Sequence, residues 1–142
     1  RNPKAVSPLT EFEKGSFQEV IPDTNVTARS VKKVVLCSGK VYFDLLDRKE
    51  KDKRKDVAII RIEQLHPFPV NQVNKLLDKY KSAEYIWLQE EPENMGYWNF
   101  IQRAYSEKSL TLISRKASAS PATGYAKIHA QEQEEIINKA FA

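Results

Sequence analysis

The sequence has little that could cross-link the chain or bind a metal. Its 142 residues include a single cysteine, Cys37, which excludes an internal disulfide and is compatible with a reducing compartment. The two histidines, His66 and His129, are far apart, and neither has a neighbouring cysteine, so no metal-ligand spacing is present. We therefore expect a fold that is stabilised by its own core and that holds no metal.

Long apolar runs and targeting signals are also missing. No stretch approaches the roughly 18 apolar residues that span a membrane. The opening Arg1-Asn2-Pro3-Lys4 lacks the apolar segment of a signal peptide, and the chain begins without a methionine. We expect a soluble domain from a longer protein, with no membrane partner.

Positive charge is in slight excess, and much of it lies in one cluster. The net charge is +4, and the cluster runs from Arg48 to Lys55. It contains two acids and no interleaved aromatic residue. This composition favours a solvated helix end and loop over a nucleic-acid surface.

Short apolar runs alternate with amphipathic segments between residues 31 and 141. The runs are predicted to be strands at 31–37, 57–62, 84–89 and 110–114, and the segments to be helices at 40–52, 70–80, 94–105 and 129–141. Because the strands are apolar at almost every position, both faces of the sheet should be buried. The pattern predicts an α/β three-layer sandwich with a mostly parallel sheet.

Residues 1–30 differ from the rest of the chain. They contain Pro3, Pro8 and Pro22, and show no sustained hydrophobic period. We expect an extended arm with one helical turn near residues 9–13, followed by the α/β domain at residues 31–142. Such an arm requires another surface on which to lie, and we expect neighbouring domains to supply it.

Polar residues follow the predicted strands, where α/β proteins place their sites. Ser38-Gly39-Lys40 joins the first strand to a helix, whose N-terminal amides and lysine could hold an anion. A tight turn with a solvated lysine fits the same residues equally well. The spacing is not that of a P-loop.

The second basic pair, Arg115 and Lys116, precedes a loop rich in serine and threonine. Two cations beside hydroxyls suit a phosphate or a carboxylate, and both basic turns could hold one ligand if their strands were neighbours. The alternative is that Arg115 pairs with Glu90 or Glu91 and ties two loops together.

The stretch from Trp87 to Trp98 places two carboxylates and a proline at the end of an apolar strand. Adjacent side chains in an extended segment face apart, so Glu90 and Glu91 are poorly placed for shared acid–base chemistry. Cys37 also ends a strand, but a buried, inert thiol is favoured over a nucleophile. We therefore expect no catalytic residue in this chain, and a structural or interdomain role for the acidic turn.

Five segments together resemble one known family. They are RNPKAVS (1–7), VVLCSGKVYFDL (34–45), DVAIIRIEQLHPFP (56–69), WLQEEPENMGYW (87–98) and SRKASASPATGYAKIHAQEQEEII (114–137). The sequence is similar to the C-terminal domain of the decarboxylating component of 2-oxoglutarate dehydrogenase, a thiamine-diphosphate enzyme. The resemblance implies a fold like the C-terminal domain of transketolase.

The resemblance also implies a setting for the chain. The parent enzyme would decarboxylate 2-oxoglutarate on thiamine diphosphate and Mg²⁺ held by preceding domains, and would pass the succinyl group to a lipoyl succinyltransferase component. It would act as a homodimer in the tricarboxylic acid cycle, in the bacterial cytoplasm or the mitochondrial matrix. This fragment would hold no cofactor itself and would be inactive alone.

Regulation is the remaining role that the resemblance implies. Members of the family bind nucleotide-type effectors, so acetyl-CoA or AMP is an expected ligand. The candidates for its phosphates are the basic residues and one hydroxyl at the strand ends and the chain start: Lys40, Arg115, Ser38, Lys116 and Arg1. A relative that prefers 2-oxoadipate, and a stand-alone nucleotide-sensing module, remain alternative identities.

Overall fold

The computed structural model describes residues 2–142, which form one five-stranded sheet with helices on both sides. The strands are β1 Val20–Ile21, β2 Lys33–Cys37, β3 Val57–Ile62, β4 Glu84–Pro92 and β5 Thr111–Arg115. Their order across the sheet is β1-β3-β2-β4-β5. The pairings of β2 with β3, β2 with β4 and β4 with β5 are parallel, and β1 is antiparallel to β3. The predicted α/β fold with a mostly parallel sheet is confirmed.

Five α-helices accompany the strands in the described part of the chain. They are α1 Leu9–Lys14, α2 Val41–Lys51, α3 Val70–Leu77, α4 Trp98–Ala104 and α5 Ala126–Phe141. Helix α4 begins four residues later than residue 94, where the sequence pattern starts it, because residues 93–97 form a turn. Helix α5 begins three residues earlier than expected, at Ala126.

Alternate residues of each buried strand enter opposite cores. Val34, Leu36 and Trp87 pack with α3 and α4 on one face of the sheet. Val35 and Leu88 pack with α2 and α5 on the other face. This division explains the near-continuous apolar strands, because both faces of the sheet are covered.

Strand β1 was not predicted, and it lies within residues 1–30. Val20 pairs with Ile62 and is buried, so the sheet extends into this segment. Beyond β1, the carboxylate of Asp23 accepts a hydrogen bond from the backbone N–H of Ile59 at 2.9 Å. The same carboxylate pairs with the buried ammonium of Lys49 on α2. Asp23 therefore supplies the acceptor that a longer edge strand would provide.

The segment before β1 is held at its start and exposed along its length. Lys4 pairs with Asp47 at 2.7 Å and with Glu50 at 2.5 Å, and both partners are on α2. Helix α1 has no buried residue. The apolar side chains of this segment are 69 to 77% exposed: Val6, Leu9, Phe12 and Phe17.

No helix in residues 2–142 has both the length and the apolar character needed to cross a membrane.

Candidate functional site

Lys40 stands at the carboxyl edge of the sheet, where β2 turns into α2. Gly39 makes the turn with a φ of +76°, a left-handed conformation that a side chain would strain. The Lys40 side chain is 67% exposed, and its ammonium lies 2.7 Å from Glu90 and 3.3 Å from Asp44. Partial burial alone would lower the pKa of Lys40, but the hydrogen bond to Glu90 and the nearby carboxylates outweigh it, and the pKa is raised. Ser38 is half-buried in the same turn.

Arg115 ends β5 and points into the protein. It is only 8% exposed. Its Nη2 donates to Oε1 of Gln133 at 2.9 Å, and its Nη1 lies 3.1 Å from Nδ1 of His129. Because a guanidinium can only donate, Nδ1 of His129 must accept, and the imidazole proton is on Nε2. Arg115 pairs with helix α5, and not with Glu90 or Glu91, the partners that one interpretation of the sequence gave it.

Gln133 joins the two basic positions. Its Nε2 donates to Glu90 at 2.8 Å and to Asp44 at 2.9 Å, while its Oε1 accepts from Arg115. A continuous network therefore runs from Lys40 through Glu90 and Gln133 to Arg115. The strands β2 and β5 are not neighbours, because β4 lies between them and contributes Glu90 to the middle of the network.

Sequence reasoning missed Gln133. The only signal available was its position four residues after His129 on an amphipathic helix, which places both side chains on one face. That spacing gives no information about which strand the face meets.

An open groove of about 700 Å³ lies between the loop of residues 116–124 and helix α5. Arg115, Lys116 and Lys139 line it together with several hydroxyls and Glu132. The loop is fixed at both ends: Asn94 and Ser118 exchange hydrogen bonds of 2.9 and 3.0 Å, and Thr123 donates to Glu132 at 2.6 Å. Lys116 is exposed beside this groove. The fifth candidate, Arg1, lies outside the described residues.

Buried Gln89, which the sequence analysis did not single out, organises the acidic turn. Its Oε1 accepts from the indole N–H of Trp87 at 3.1 Å and from the backbone N–H of Trp98 at 3.0 Å. Its Nε2 donates to the carbonyls of Pro92 at 3.1 Å and Met95 at 2.7 Å. One amide thus fixes both ends of the turn.

Glu90 and Glu91 face different surroundings, as expected for adjacent residues of a strand. Glu90 is half-buried against Lys40 and Gln133, whereas Glu91 is exposed beside Gly96. Gly96 has a φ of +67°, and a β-carbon there would lie 3.0 Å from both Gln89 and Glu91. The turn therefore requires glycine at this position.

The thiol of Cys37 is fully buried, and burial raises its pKa to about 12. A thiol in this state is almost entirely protonated at neutral pH and is a poor nucleophile. His66 is exposed and packs edge-on against Phe100, with ring centres 5.7 Å apart, so it does not meet Cys37. Among residues 2–142, no three His, Cys, Asp or Glu side chains are grouped as a metal site would require.

Comparison with known proteins places this chain in a family. The model of the family described as 2-oxoglutarate dehydrogenase C-terminal matches residues 6–141. The 2-oxoglutarate dehydrogenase E1 component of Cupriavidus necator is 45% identical over 149 aligned positions, which cover 100% of this chain and 16% of the relative. The mitochondrial 2-oxoglutarate dehydrogenase of Caenorhabditis elegans is 43% identical over 99% of this chain and 15% of its own length.

A third relative is named as an E1/E2 component. The 2-oxoglutarate dehydrogenase E1/E2 component of Corynebacterium glutamicum is 46% identical over 99% of this chain and 12% of its own length. The chain thus spans about one sixth or less of the curated relatives that it matches. It belongs to the family of 2-oxoglutarate dehydrogenase C-terminal domains.

Proposed function

We propose that this chain is the non-catalytic, scaffolding and regulatory C-terminal domain of a 2-oxoglutarate dehydrogenase decarboxylating component. The observation that carries the proposal is the network at the carboxyl edge, where Lys40, Glu90, Gln133 and Arg115 pair with one another. Charged groups engaged in this way hold two loops and a helix in place. They leave no acid–base pair directed at a substrate.

The parent enzyme would use thiamine diphosphate and Mg²⁺ to decarboxylate 2-oxoglutarate and would then succinylate lipoyl groups. The half-buried carboxylates at the described carboxyl edge do not fit the Mg²⁺ of that cofactor. Mg²⁺ prefers carboxylate oxygens, and the half-buried carboxylates of this edge, Glu90 and Asp44, are already bonded to Lys40 and Gln133. We therefore assign the cofactor and every chemical step to the preceding domains.

The proposed partners follow from the same assignment. They are the upstream domains of the same chain, a second copy in the parent homodimer, and the lipoyl succinyltransferase component. The relatives come from bacteria and from a mitochondrion, which supports the bacterial cytoplasm or the mitochondrial matrix as the compartment. We propose that the exposed apolar side chains Leu9 and Phe12 pack on an upstream domain.

Turnover by the isolated chain tests the non-catalytic assignment. The folded 142-residue chain, supplied with thiamine diphosphate, Mg²⁺ and 2-oxoglutarate, should release no CO₂ above the buffer background. A parent enzyme assayed in parallel provides the positive control. Measurable turnover by the isolated chain would show that it carries catalytic residues of its own.

A regulatory effector, acetyl-CoA or AMP, is the second part of the proposal. Lys40 offers an exposed ammonium for a phosphate, and Ser38 lies in the same turn. Arg115 and Lys116 border the groove against α5, about two strands away across the edge. Gln133 connects the two places, so a phosphate at Lys40 that displaced Glu90 would also disturb Arg115.

Effector binding is best measured on the full-length protein by calorimetry. Lys40→Ala and Arg115→Ala should weaken the binding of acetyl-CoA or AMP, while Lys75→Ala, at an exposed lysine of α3 on the opposite face of the sheet, should not. Arg115→Lys keeps the positive charge but loses the two guanidinium hydrogen bonds to His129 and Gln133 of α5. It therefore distinguishes the effect of the charge on binding from the effect of these bonds. If both alanine variants bound the effector with unchanged affinity, Lys40 and Arg115 would not form an effector site. The non-catalytic assignment would not be affected.

A further inference from the structure

The cationic cluster at the end of α2 has no part in the proposed function, and the structure places a pocket there. A pocket of about 340 Å³ opens between the end of α2 and the segment that follows β1. It is lined by Asn25, Leu46, Lys49, Glu50, Lys53, Arg54 and Lys55, and we call it the amino-edge pocket. It lies at the end of the sheet where the parallel strands begin, opposite the carboxyl-edge network.

The carboxylates around the amino-edge pocket are already neutralised. Asp23 pairs with buried Lys49, and Asp56 accepts two hydrogen bonds from Arg54 at 2.7 and 2.8 Å. Glu50 also lines the pocket, and its carboxylate pairs with Lys4 at 2.5 Å. Lys53 and Lys55 have no carboxylate partner among residues 2–142, so the charge left at the pocket mouth is positive.

The excess of positive charge continues along the edge of the sheet. Lys55, Lys32 and Lys81 precede β3, β2 and β4, which are neighbours in that order, and all three are exposed. Backbone hydrogen bonds of 2.7 and 2.9 Å hold Lys32 against Asp56 and Glu84, at the starts of these neighbouring strands. Strands are about 4.8 Å apart, so the row is about 10 Å wide. Glu84 is an exposed acid within it.

Lys53 occupies a backbone position that usually belongs to glycine. Its φ is +51°, and the bonds Lys53 N–H to Glu50 O at 3.1 Å and Arg54 N–H to Lys49 O at 3.0 Å close the helix as a Schellman motif. A β-carbon is strained in this left-handed conformation. A lysine here therefore places a cation at the pocket mouth at a conformational cost that glycine would avoid.

We propose that the amino-edge pocket and the adjoining lysine row form a docking site for an acidic segment of a partner protein, with one carboxylate side chain seated in the pocket. Leu46 and the aliphatic stems of the lysines suit the methylene groups of that side chain, and the ammonium groups suit its charge. The row is wider than a single small anion. Exposed lysines that are not held by partners bind weakly and in a salt-dependent way, which suits a transient contact.

A protein partner fits this edge better than a nucleic acid. Binding of single strands relies on aromatic stacking. In the described part of the chain, the exposed aromatic side chains Phe12, Phe17, Tyr97 and Tyr125 lie in the arm or at the other end of the sheet. The interspersed acids, Glu84 among them, would also repel a continuous phosphate backbone.

The test uses a fluorescein-labelled oligoglutamate peptide and the 142-residue chain, with binding followed by fluorescence anisotropy at low ionic strength. Lys53→Gln and Lys55→Gln should each weaken binding by about threefold to fivefold. Lys14→Gln and Lys127→Gln remove the same charge from exposed positions elsewhere. These two matched controls should leave the affinity almost unchanged.

Lys53→Gly separates the charge from the fold. It removes the cation and relieves the left-handed strain at residue 53. The variant should therefore have a higher melting temperature and bind the peptide more weakly. If the Lys53→Gly variant bound the peptide as tightly as the unsubstituted chain, the proposal would be overturned. Failure of the unsubstituted chain to bind the peptide would also overturn it. Equal losses in the two control variants would assign binding to net charge alone. Tighter binding of a DNA duplex of matched charge would assign the edge to nucleic acid, and either result would also overturn the proposal.

Discussion

A buried side-chain amide decides the shape of the turn that joins β4 to α4. Gln89 is 4% exposed and bonds to Trp87, Pro92, Met95 and Trp98. Without the amide, the N–H groups of Trp87 and Trp98 would lose this acceptor and the carbonyl of Met95 would lose this donor, whereas the carbonyl of Pro92 would keep the N–H of Met95. Glu91 lies in the turn that this amide fixes, whereas Glu90 is also held by its own contacts with Lys40 and Gln133.

Gln89→Leu should therefore destabilise the fold. The substitution keeps the volume but leaves the N–H groups of Trp87 and Trp98 without their acceptor, and each buried unsatisfied group costs about 1–3 kcal/mol. We expect a loss of about 2–4 kcal/mol in the free energy of unfolding, measured by urea denaturation. Gln102→Leu, at an exposed position on α4, is the control and should change stability by less than about 0.5 kcal/mol. A Gln89→Leu variant as stable as the parent sequence would show that water replaces these bonds.

Asp56 gives the chain a defined sensitivity to acid. The hydrogen bonds from Arg54 lower the pKa of Asp56 from its ordinary 3.8 to about 2. Because the folded pKa is below the unfolded one, the ionised pair stabilises the fold above pH 4. That contribution is lost as the pH falls from about 4 to about 2.

Asp56→Asn should flatten the acid limb of the stability curve. The variant has no carboxyl to protonate at this position, so its stability should fall less steeply between pH 4 and 2 than that of the unsubstituted chain. Thermal unfolding at a series of pH values measures the slope, and Glu84→Gln, at an exposed position, serves as the control. Identical acid limbs for Asp56→Asn and the unsubstituted chain would contradict the assignment.

At the scale of elements, helix α5 is the part that completes the carboxyl edge. Its His129, Glu132 and Gln133 meet Arg115, and Gln133 also meets Asp44 and Glu90. The helix crosses behind β4 and β5 with Ile136, Ile137 and Phe141 in the core. The apolar face therefore fixes the register at which the polar face reaches the strand ends.

The sequence predicts the strands of the sheet better than the partners of the site. Val34 to Cys37 and Val57 to Ile60 are buried on both faces, so their apolar runs are visible without any tertiary information. Strand β1 has two residues and no period, and only its pairing with Ile62 identifies it. Lys40 and Arg115 were placed at the carboxyl edge by the strand-end rule, but the side chain that connects them comes from α5. How that helix sits against the sheet depends on packing, and no local pattern encodes it.

The arm differs from the rest of the domain in how it is supported. Helix α1 is six residues long with no buried residue, and so short a helix gains little stability from its own hydrogen bonds. Before this helix, Lys4 forms two surface ion pairs with α2, to Asp47 and Glu50. Strand β1, by contrast, is paired within the sheet and contributes buried Val20.

Hydrogen exchange of the isolated chain should separate helix α1 from the central strands of the sheet. Amides of residues 9–14 should exchange at nearly the rate of an unfolded peptide, while those of β3 and β4 should be the slowest. In the full-length protein, packing of Leu9 and Phe12 on an upstream domain should slow α1 by at least about tenfold. Equal exchange of α1 in both forms would contradict the proposed docking of the arm.

At the scale of the whole molecule, two cores and one network make a rigid terminal domain in which charged groups hold structure. We assign catalysis to other domains of the parent enzyme. Removing the reactive groups of this domain should therefore leave the rate of the reaction almost unchanged. Cys37 and Glu90 are the two groups that an active-site interpretation would require.

The most direct test of this assignment is the kcat of the full-length parent enzyme with the double substitution Cys37→Ala and Glu90→Gln. It is measured as CO₂ release from 2-oxoglutarate. We predict a kcat within about twofold of that of the unsubstituted enzyme, because we assign the groups that contact the reacting atoms to other domains. A fall of about a hundredfold or more, typical of the loss of a general acid or base, in a folded variant that still binds thiamine diphosphate would contradict it.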